Sequence, residues 1–397
     1  MSWTKEEQKF ILQTYRRQPL VLVKGKGSFV WDESGKRYLD FFSGLAVNNL
    51  GHCHPAVVKA VADQAKKLIH TSNIYYTIPQ IECARTLVQR SFPGKVFFCN
   101  SGAEANETAI KLARRWGKQG EGSRVKCEGR HEIIAFSNSF HGRTMGALTL
   151  TAQQKYQKDF DPLLEKVLYA EFNNSESVGE LVSERTCAIF VEPIQGEGGI
   201  VPATKEFLHD LRDLCDQNKM LLVFDEVQCG MGRTGYLFAY QGYGVEPDVL
   251  LLAKGLGGGL PIGAVIVKEE FTDLFGLGDH ASTFGGNPVT CSAAKAVLKT
   301  MSAPFLKEVK KKGEIFRAAL EALKEKNANI VKEVRGEGLM QGIVLIRQGA
   351  GIVDACREAG LLINCTQETV LRLVPPLTIS AGELKAGVQI LEKALNS

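Results

Sequence analysis

Nowhere in the 397 residues do apolar side chains run unbroken for about 18 positions, the length a helix needs to cross a bilayer, so no membrane span is expected. The ten cysteines are scattered, with Cys356 and Cys365 the nearest pair, and no C-x-x-C spacing exists for zinc or dithiol exchange. Such thiols are expected to be free in a reducing compartment. An excess of one charge is also lacking. The 48 basic and 44 acidic side chains leave a formal +4, and no Lys/Arg run concentrates it, which argues against nucleic acid or an anionic membrane as the main partner. No G-x-x-x-x-G-K-[ST] occurs, so a phosphate loop of the ATPase kind is excluded. The polar start, Met1 to Glu7, has no apolar stretch before a small-residue cleavage site, and a soluble cytoplasmic protein is expected.

What is present is a substantial core-forming content, 44% hydrophobic, without repeats or low-complexity linkers. Apolar runs recur through the middle: Val96 to Phe98, Glu132 to Phe136, Cys187 to Val191, Leu221 to Phe224 and Val249 to Leu252. Runs of this length suit strands buried on both faces. Helical stretches lie between several of them, such as Lys205 to Asn218 with Leu208, Leu211 and Leu214 on one face. The alternation predicts an α/β fold with a mostly parallel sheet. Residues 20 to 42 read instead as short antiparallel strands around Gly25, Gly27 and Gly35, and residues 304 to 397 as amphipathic helices with short strands such as Gly342 to Ile346. A large domain over 50–290 and a small α+β domain from 1–49 and 291–397 are expected.

Several constellations could carry chemistry. Asn100 to Glu104 follows a strand and opens a helix, with Ser101 and Glu104 at capping-box spacing; its free N–H groups and positive helix end suit a phosphate, although a well-capped helix needs no ligand. Leu221 to Glu226 is an apolar strand ending in two carboxylates. Gly230 to Gly235 spells a dinucleotide-binding glycine pattern, yet no clear helix of a βαβ unit follows it. Lys254 ends an apolar strand ahead of glycine-rich backbone, where desolvation would lower its pKa and favour the neutral amine of Schiff-base chemistry, or where its stem simply snorkels from the strand end. Ser139 to Thr144 packs an aromatic ring, an imidazole and a guanidinium together, a kit for stacking on a ring and gripping a carboxylate, or an ordinary polar loop. His52-Cys53-His54-Pro55 lacks further ligands nearby, so a turn is expected and no metal.

These motifs, in this order, resemble the class III, fold-type I pyridoxal-phosphate aminotransferases, and among them the acetylornithine group. The likeness runs nearly end to end, through Gly51 to Pro55, Ser101 to Lys111, Phe140 to Thr144, Val191 to Gly199, Asp225 to Gly235, Ala253 to Ala264, Ser282 to Pro288 and Leu371 to Pro376. The resemblance implies pyridoxal 5'-phosphate as cofactor, with Lys254 as its Schiff-base lysine and proton carrier. It implies Asp225 at the pyridine nitrogen, Phe140 and Val227 on the two ring faces and Gln228 near the phenolic oxygen. Ser101, Gly102 and Ala103 would hold the phosphate, joined by Thr283 from a second subunit of a homodimer. Arg143 would grip the carboxylate of an ornithine-type donor and the distal carboxylate of glutamate. Arg372 would grip the glutamate α-carboxylate, and Glu197 would cover Arg372 while the other donor is bound. Tyr15 is implied as a substrate contact near the entrance.

The implied reaction transfers the δ-amino group of N2-acetylornithine to 2-oxoglutarate, yielding N-acetylglutamate 5-semialdehyde and glutamate. Ornithine δ-aminotransferases and the succinylornithine and succinyl-diaminopimelate enzymes share these motifs, so the acyl group rests on overall likeness. A mutase or racemase would need no Glu197–Arg372 switch, and a non-catalytic descendant would be expected to have lost Lys254 or Asp225.

Overall fold

The computed structural model describes residues 3–119 and 129–396. At its centre is a seven-stranded sheet in the order Gly94–Cys99, Gly263–Lys268, Val249–Leu252, Leu221–Asp225, Thr186–Val191, Glu132–Phe136, Val167–Ala170. Every apolar run read as a strand is one. The sheet departs from parallel at Gly263–Lys268, which runs antiparallel to both neighbours, pairing Val265 with Leu251 and with Phe97.

The two faces of the sheet are covered separately, as a period of two along buried strands requires. Ile133, Ala135, Leu221, Val223 and Leu251 pack with Ala105, Ala109, Leu112 and Ala113 of the helix Gly102–Gln119, and the predicted Trp116 lies against the same cluster. Ile134, Phe136, Leu222, Phe224 and Leu250 point the other way, toward Phe207, Leu208 and Leu211 of the helix Lys205–Asn218. That helix starts where Thr204 accepts a hydrogen bond from the Phe207 N–H, and it stops at Lys219, whose backbone is left-handed at φ 51°.

The chain ends meet. Leu22–Lys26, Phe29–Asp32 and Arg37–Asp40 form the expected antiparallel strands, and Leu361–Leu362 adds to them in parallel, Leu361 opposite Leu39. A further sheet orders Val331–Glu337, Met340–Leu345, Val370–Leu373 and Asn364–Thr366. The helix Pro288–Thr300 packs on Pro55–Ala65 and Ile78–Arg90. Among the described residues no helix is long and apolar enough to cross a membrane.

The glycine pattern at 230–235 is a buried turn. The next helix, Tyr240–Tyr243, has only four residues, so no dinucleotide-type helix N-terminus exists there. Arg233, fully buried, donates from Nη1 to the Leu339 carbonyl at 3.1 Å and also bonds Pro375 O and Asn49 Oδ1, tying both chain ends to the central layer.

Candidate active site

In an open parallel sheet, loops leaving the carboxyl ends of the strands surround the ligand crevice. Here Asn100, Phe140, Glu192 and Lys254 follow such ends and Asp225 is the last residue of its strand, and they meet around a cavity of roughly 480 Å³. Ser101, Gly102, Ala103, Arg143, Val227 and Gln228 line it as well. A larger cleft, roughly 670 Å³, lies between Asp63, Lys67, Arg90 and Lys299, but it gathers no strand-end carboxylate and lysine.

One end of the cavity is built for an anion. The Gly102 and Ala103 N–H groups open an 18-residue helix and have no acceptor among the described residues, so they add to the positive end of its dipole. Glu104 N donates to Ser101 Oγ at 3.2 Å, the first half of the expected capping box. The second half differs: the Glu104 carboxylate takes the N–H and side-chain amide of Asn100, both at 2.9 Å, rather than the N–H of Ser101. Asn100 is thereby held beside the cavity. A Cβ on Gly102 would stand 2.7 Å from Val227 Cγ1, so glycine is what allows the helix start and Val227 to abut.

At the other end sits Asp225, 4% exposed. Its Oδ1 accepts the Val227 N–H at 3.0 Å, and its Oδ2 accepts from Asn106 Nδ2 and His141 Nδ1, both at 2.8 Å. Burial opposes a charge on His141, but the hydrogen bond and negative charge of Asp225 prevail, and its pKa is raised. The same Asn106 amide reaches the carbonyls of Gly102 and His141 at 3.0 Å each, joining helix start, loop and strand end. Asn106 and His141 were not singled out individually from sequence. A polar residue among the alanines of the buried helix face was the available signal for Asn106, and the Ser139 to Thr144 kit for His141.

Lys254 adopts φ 41°, a left-handed conformation that is costly for a residue with a side chain and that clusters at functional sites. Its amine makes no hydrogen bond among the described residues, and it faces the cavity. Burial lowers its pKa, against the pull of Glu197 and Asp225. The neutral amine, a nucleophile and proton acceptor, is favoured accordingly.

Two arginines stand in different surroundings. Arg372, 1% exposed, bonds Glu197 Oε1 through Nη1 at 2.6 Å, with Gln228 Oε1 at 3.3 Å and Asn364 Oδ1 at 3.1 Å as further acceptors. Burial alone would raise the Glu197 carboxyl, but the adjacent guanidinium outweighs it and holds the carboxyl low. Arg143 is exposed at the mouth, its guanidinium 3.8 Å over the Tyr156 ring and 5.4 Å over Phe140, with no carboxylate partner among the described residues. Tyr156, which meets Phe140 edge-on at 5.9 Å, was missed from sequence.

The remaining predicted residues lie elsewhere. Thr283 is exposed and outside this cavity, on a loop whose Ser282 hydroxyl accepts from Asn100 Nδ2 at 3.2 Å. Tyr15 is 73% exposed, with the Arg17 guanidinium 5.3 Å from its ring, and it too stands apart. In the His52 to Pro55 turn, His52 Nε2 pairs with Asp40 at 2.6 Å and His54 precedes the helix Pro55–Ala65. Among the described residues no His/Cys/Asp/Glu group could hold a metal ion.

The unpaired N–H groups, the buried strand-end carboxylate with its imidazole, and the free lysine amine form one donor set, suited to a phosphorylated pyridine aldehyde. Comparison with known proteins agrees. The family model for aminotransferase class III matches residues 11–395. An acetylornithine aminotransferase of Caldanaerobacter subterraneus subsp. tengcongensis is 52% identical over 392 residues, 98% of each chain. A succinylornithine transaminase of Yersinia pseudotuberculosis is 46% identical over 387 residues, 96% of this chain and 93% of that protein. Among solved structures, the ornithine aminotransferase from Toxoplasma gondii superposes with a TM-score of 0.94 at 31% identity, covering 99% of this chain and 94% of that one. This chain belongs to the class III aminotransferases, fold-type I enzymes that work with pyridoxal 5'-phosphate.

Proposed function

We propose that this chain transfers the δ-amino group of N2-acetylornithine to 2-oxoglutarate, yielding N-acetylglutamate 5-semialdehyde and glutamate, a step of arginine biosynthesis. The observation that carries the reading is the ion pair of buried Arg372 with Glu197, which adjoins the cavity through the Arg372–Gln228 bond, while Arg143 lines that cavity with no carboxylate partner among the described residues. A transaminase of this type must accept a donor with one carboxylate and then a dicarboxylate in the same pocket. Arg143 grips the carboxylate common to both, and Arg372 is covered by Glu197 for the first substrate and opened for the second.

When bound, pyridoxal 5'-phosphate supplies an electron sink that acidifies the C–H bond of the carbon bearing the amine. The chain's residues do the rest. Lys254 Nζ holds the cofactor and, once released, takes the proton from the substrate δ-carbon. Asp225, braced by His141 and Asn106, keeps a proton on the ring nitrogen. Phe140 and Val227, both on the cavity wall, would confine the two ring faces, and Gln228 beside them would serve the phenolic oxygen. Ser101, Gly102 and Ala103 orient the phosphate through the helix start.

The reading includes a homodimer, because Thr283 is free to reach the site of a second copy. The exposed Ile74, Tyr75, Tyr76 and Ile78 support it: Asn73 beside them binds the carbonyls of Ser282 and Gly285 at 2.9 Å, so an apolar surface and the Thr283 loop form one face. Tyr15 belongs to the entrance of the assembled site. The reading also divides the chain near residues 50 and 290 into a cofactor domain and a small domain from both ends, and it places the enzyme in the cytoplasm.

The test is transamination of 2-oxoglutarate by purified protein with pyridoxal 5'-phosphate, offering N2-acetylornithine, N2-succinylornithine or ornithine and measuring glutamate. The highest kcat/KM is expected with N2-acetylornithine. Preference for either rival would reassign the donor, as the relatives acting under those names allow, and glutamate formation with none of the three would sink the proposal.

A further inference from the structure

Glu192 is a buried carboxylate to which the chemistry above gives no role. It follows the strand Thr186–Val191, is 6% exposed and lines the cavity, and no Lys or Arg pairs with it among the described residues. Its two oxygens are used separately. Oε2 accepts the Phe140 N–H at 2.9 Å, and Oε1 accepts the Gly196 N–H at 3.3 Å. Phe140 walls the cofactor cavity, and Gly196 immediately precedes Glu197.

The backbone beyond Gly196 is pinned as well. The Glu197 carbonyl accepts from Thr366 Oγ1 at 2.7 Å and Gln367 Nε2 at 2.9 Å, and the Gly199 carbonyl accepts from Arg335 Nε at 2.8 Å. A loop held at these points leaves the Glu197 side chain as the part able to move. Glu192 is the pin that reaches the loop from the cofactor side.

We propose that Glu192 is a positioning residue that fixes the Phe140 wall and the base of the Glu197 gate together, so that Glu197 leaves Arg372 by side-chain rotation on a stationary backbone. The inference rests on the substrate-switch reading of Glu197 and Arg372. Glu192→Gln keeps the shape, but its amide can accept at one oxygen only and turns N–H donors toward the second N–H. Glu192→Asp is too short to reach both.

Proton occupancy modulates the same contact. Burial lifts the Glu192 carboxyl to about 7, with the His141 charge lowering it and Asp225 raising it; Lys254 and Cys229 are the other titratable groups that feel its charge. Protonation replaces an acceptor by a donor and removes one of the two bonds.

The experiment combines hydrogen exchange with partial kinetics on wild type, Glu192→Gln and Glu192→Asp, with melting curves to confirm folding. Exchange of the peptides holding Gly196 and Phe140 is followed with and without cofactor, and at least one should exchange about tenfold faster in each variant, the scale of one charge-assisted hydrogen bond. The gate then leans open, so kcat/KM for N2-acetylornithine should fall about tenfold relative to that for glutamate. In wild type that ratio should also fall as pH drops through about 7, and in Glu192→Gln this dependence should vanish. Unchanged exchange, or equal losses in both half-reactions, would overturn the proposal. Faster exchange in a protein that turns over glutamate but no acylated ornithine would uphold Glu192 as the pin while removing the donor assignment.

Discussion

Removing the Glu197 carboxylate isolates the gate from everything else in the site. In Glu197→Ala, Arg372 loses its 2.6 Å partner while keeping Gln228 and Asn364 as acceptors, so its charge is left partly compensated in a nearly dry position. Breaking a buried pair on one side costs about 3–5 kcal/mol when nothing remains, and the two amide oxygens bring that down to about 2 kcal/mol. In the proposed switch glutamate must displace Glu197 to reach Arg372, so this same energy opposes glutamate binding. Its removal should lower KM for glutamate by about 30-fold, the factor for about 2 kcal/mol. The acylated donor gains nothing, and its kcat/KM should fall as an uncovered cation faces its δ-amino end. Steady-state kinetics for each substrate, with circular dichroism melting to register the loss of stability, give both numbers. An unchanged KM for glutamate would refute the gate.

Asp225→Asn removes the charge that raises the His141 pKa; turnover should fall by at least about 100-fold, as for loss of a preorganised charge at the reacting group, and NMR titration should find the His141 pKa lowered. An unmoved His141 would contradict the assigned network. Gly102→Ala places a Cβ 2.7 Å from Val227 Cγ1 and 3.0 Å from Cγ2, so Val227 or the helix start must shift. Equilibrium dialysis should show cofactor affinity reduced about tenfold, with a stability loss of about 1–3 kcal/mol. Burial raises the Glu226 carboxyl to about 8 from an ordinary 4.5, so its contribution to stability is present in full below about 4.5 and is lost as pH rises through about 8. Urea denaturation at about pH 5.5 and about pH 8.5 should therefore show a smaller stability drop in the permanently neutral Glu226→Gln than in wild type.

The central layer was legible because strands buried on both faces must be apolar throughout, and the polar residues that end those runs are the ones the sheet aims into the cavity. Asp225 and Lys254 could be picked out for that reason. The reversal of Gly263–Lys268 was not legible, since a buried strand reads the same in either direction. Asn106, His141 and Glu192 escaped for another reason. Their roles are contacts across 119, 84 and 52 residues of chain, to Asp225, Asp225 and Phe140, which no local pattern encodes. The capping box was half right because Asn100 offers Glu104 two donors where Ser101 would offer one. Tyr15 and Thr283 came from family likeness alone, and a single chain gives neither of them a site to enter.

The central claim is that Lys254 is the residue that carries the cofactor. Reduction of the cofactor-loaded protein with borohydride, followed by proteolysis and mass mapping, tests it directly. The phosphopyridoxyl group is expected on the peptide containing Lys254 and to be absent from Lys254→Ala. Label on another lysine, or no label on a protein that still turns over, would contradict the account.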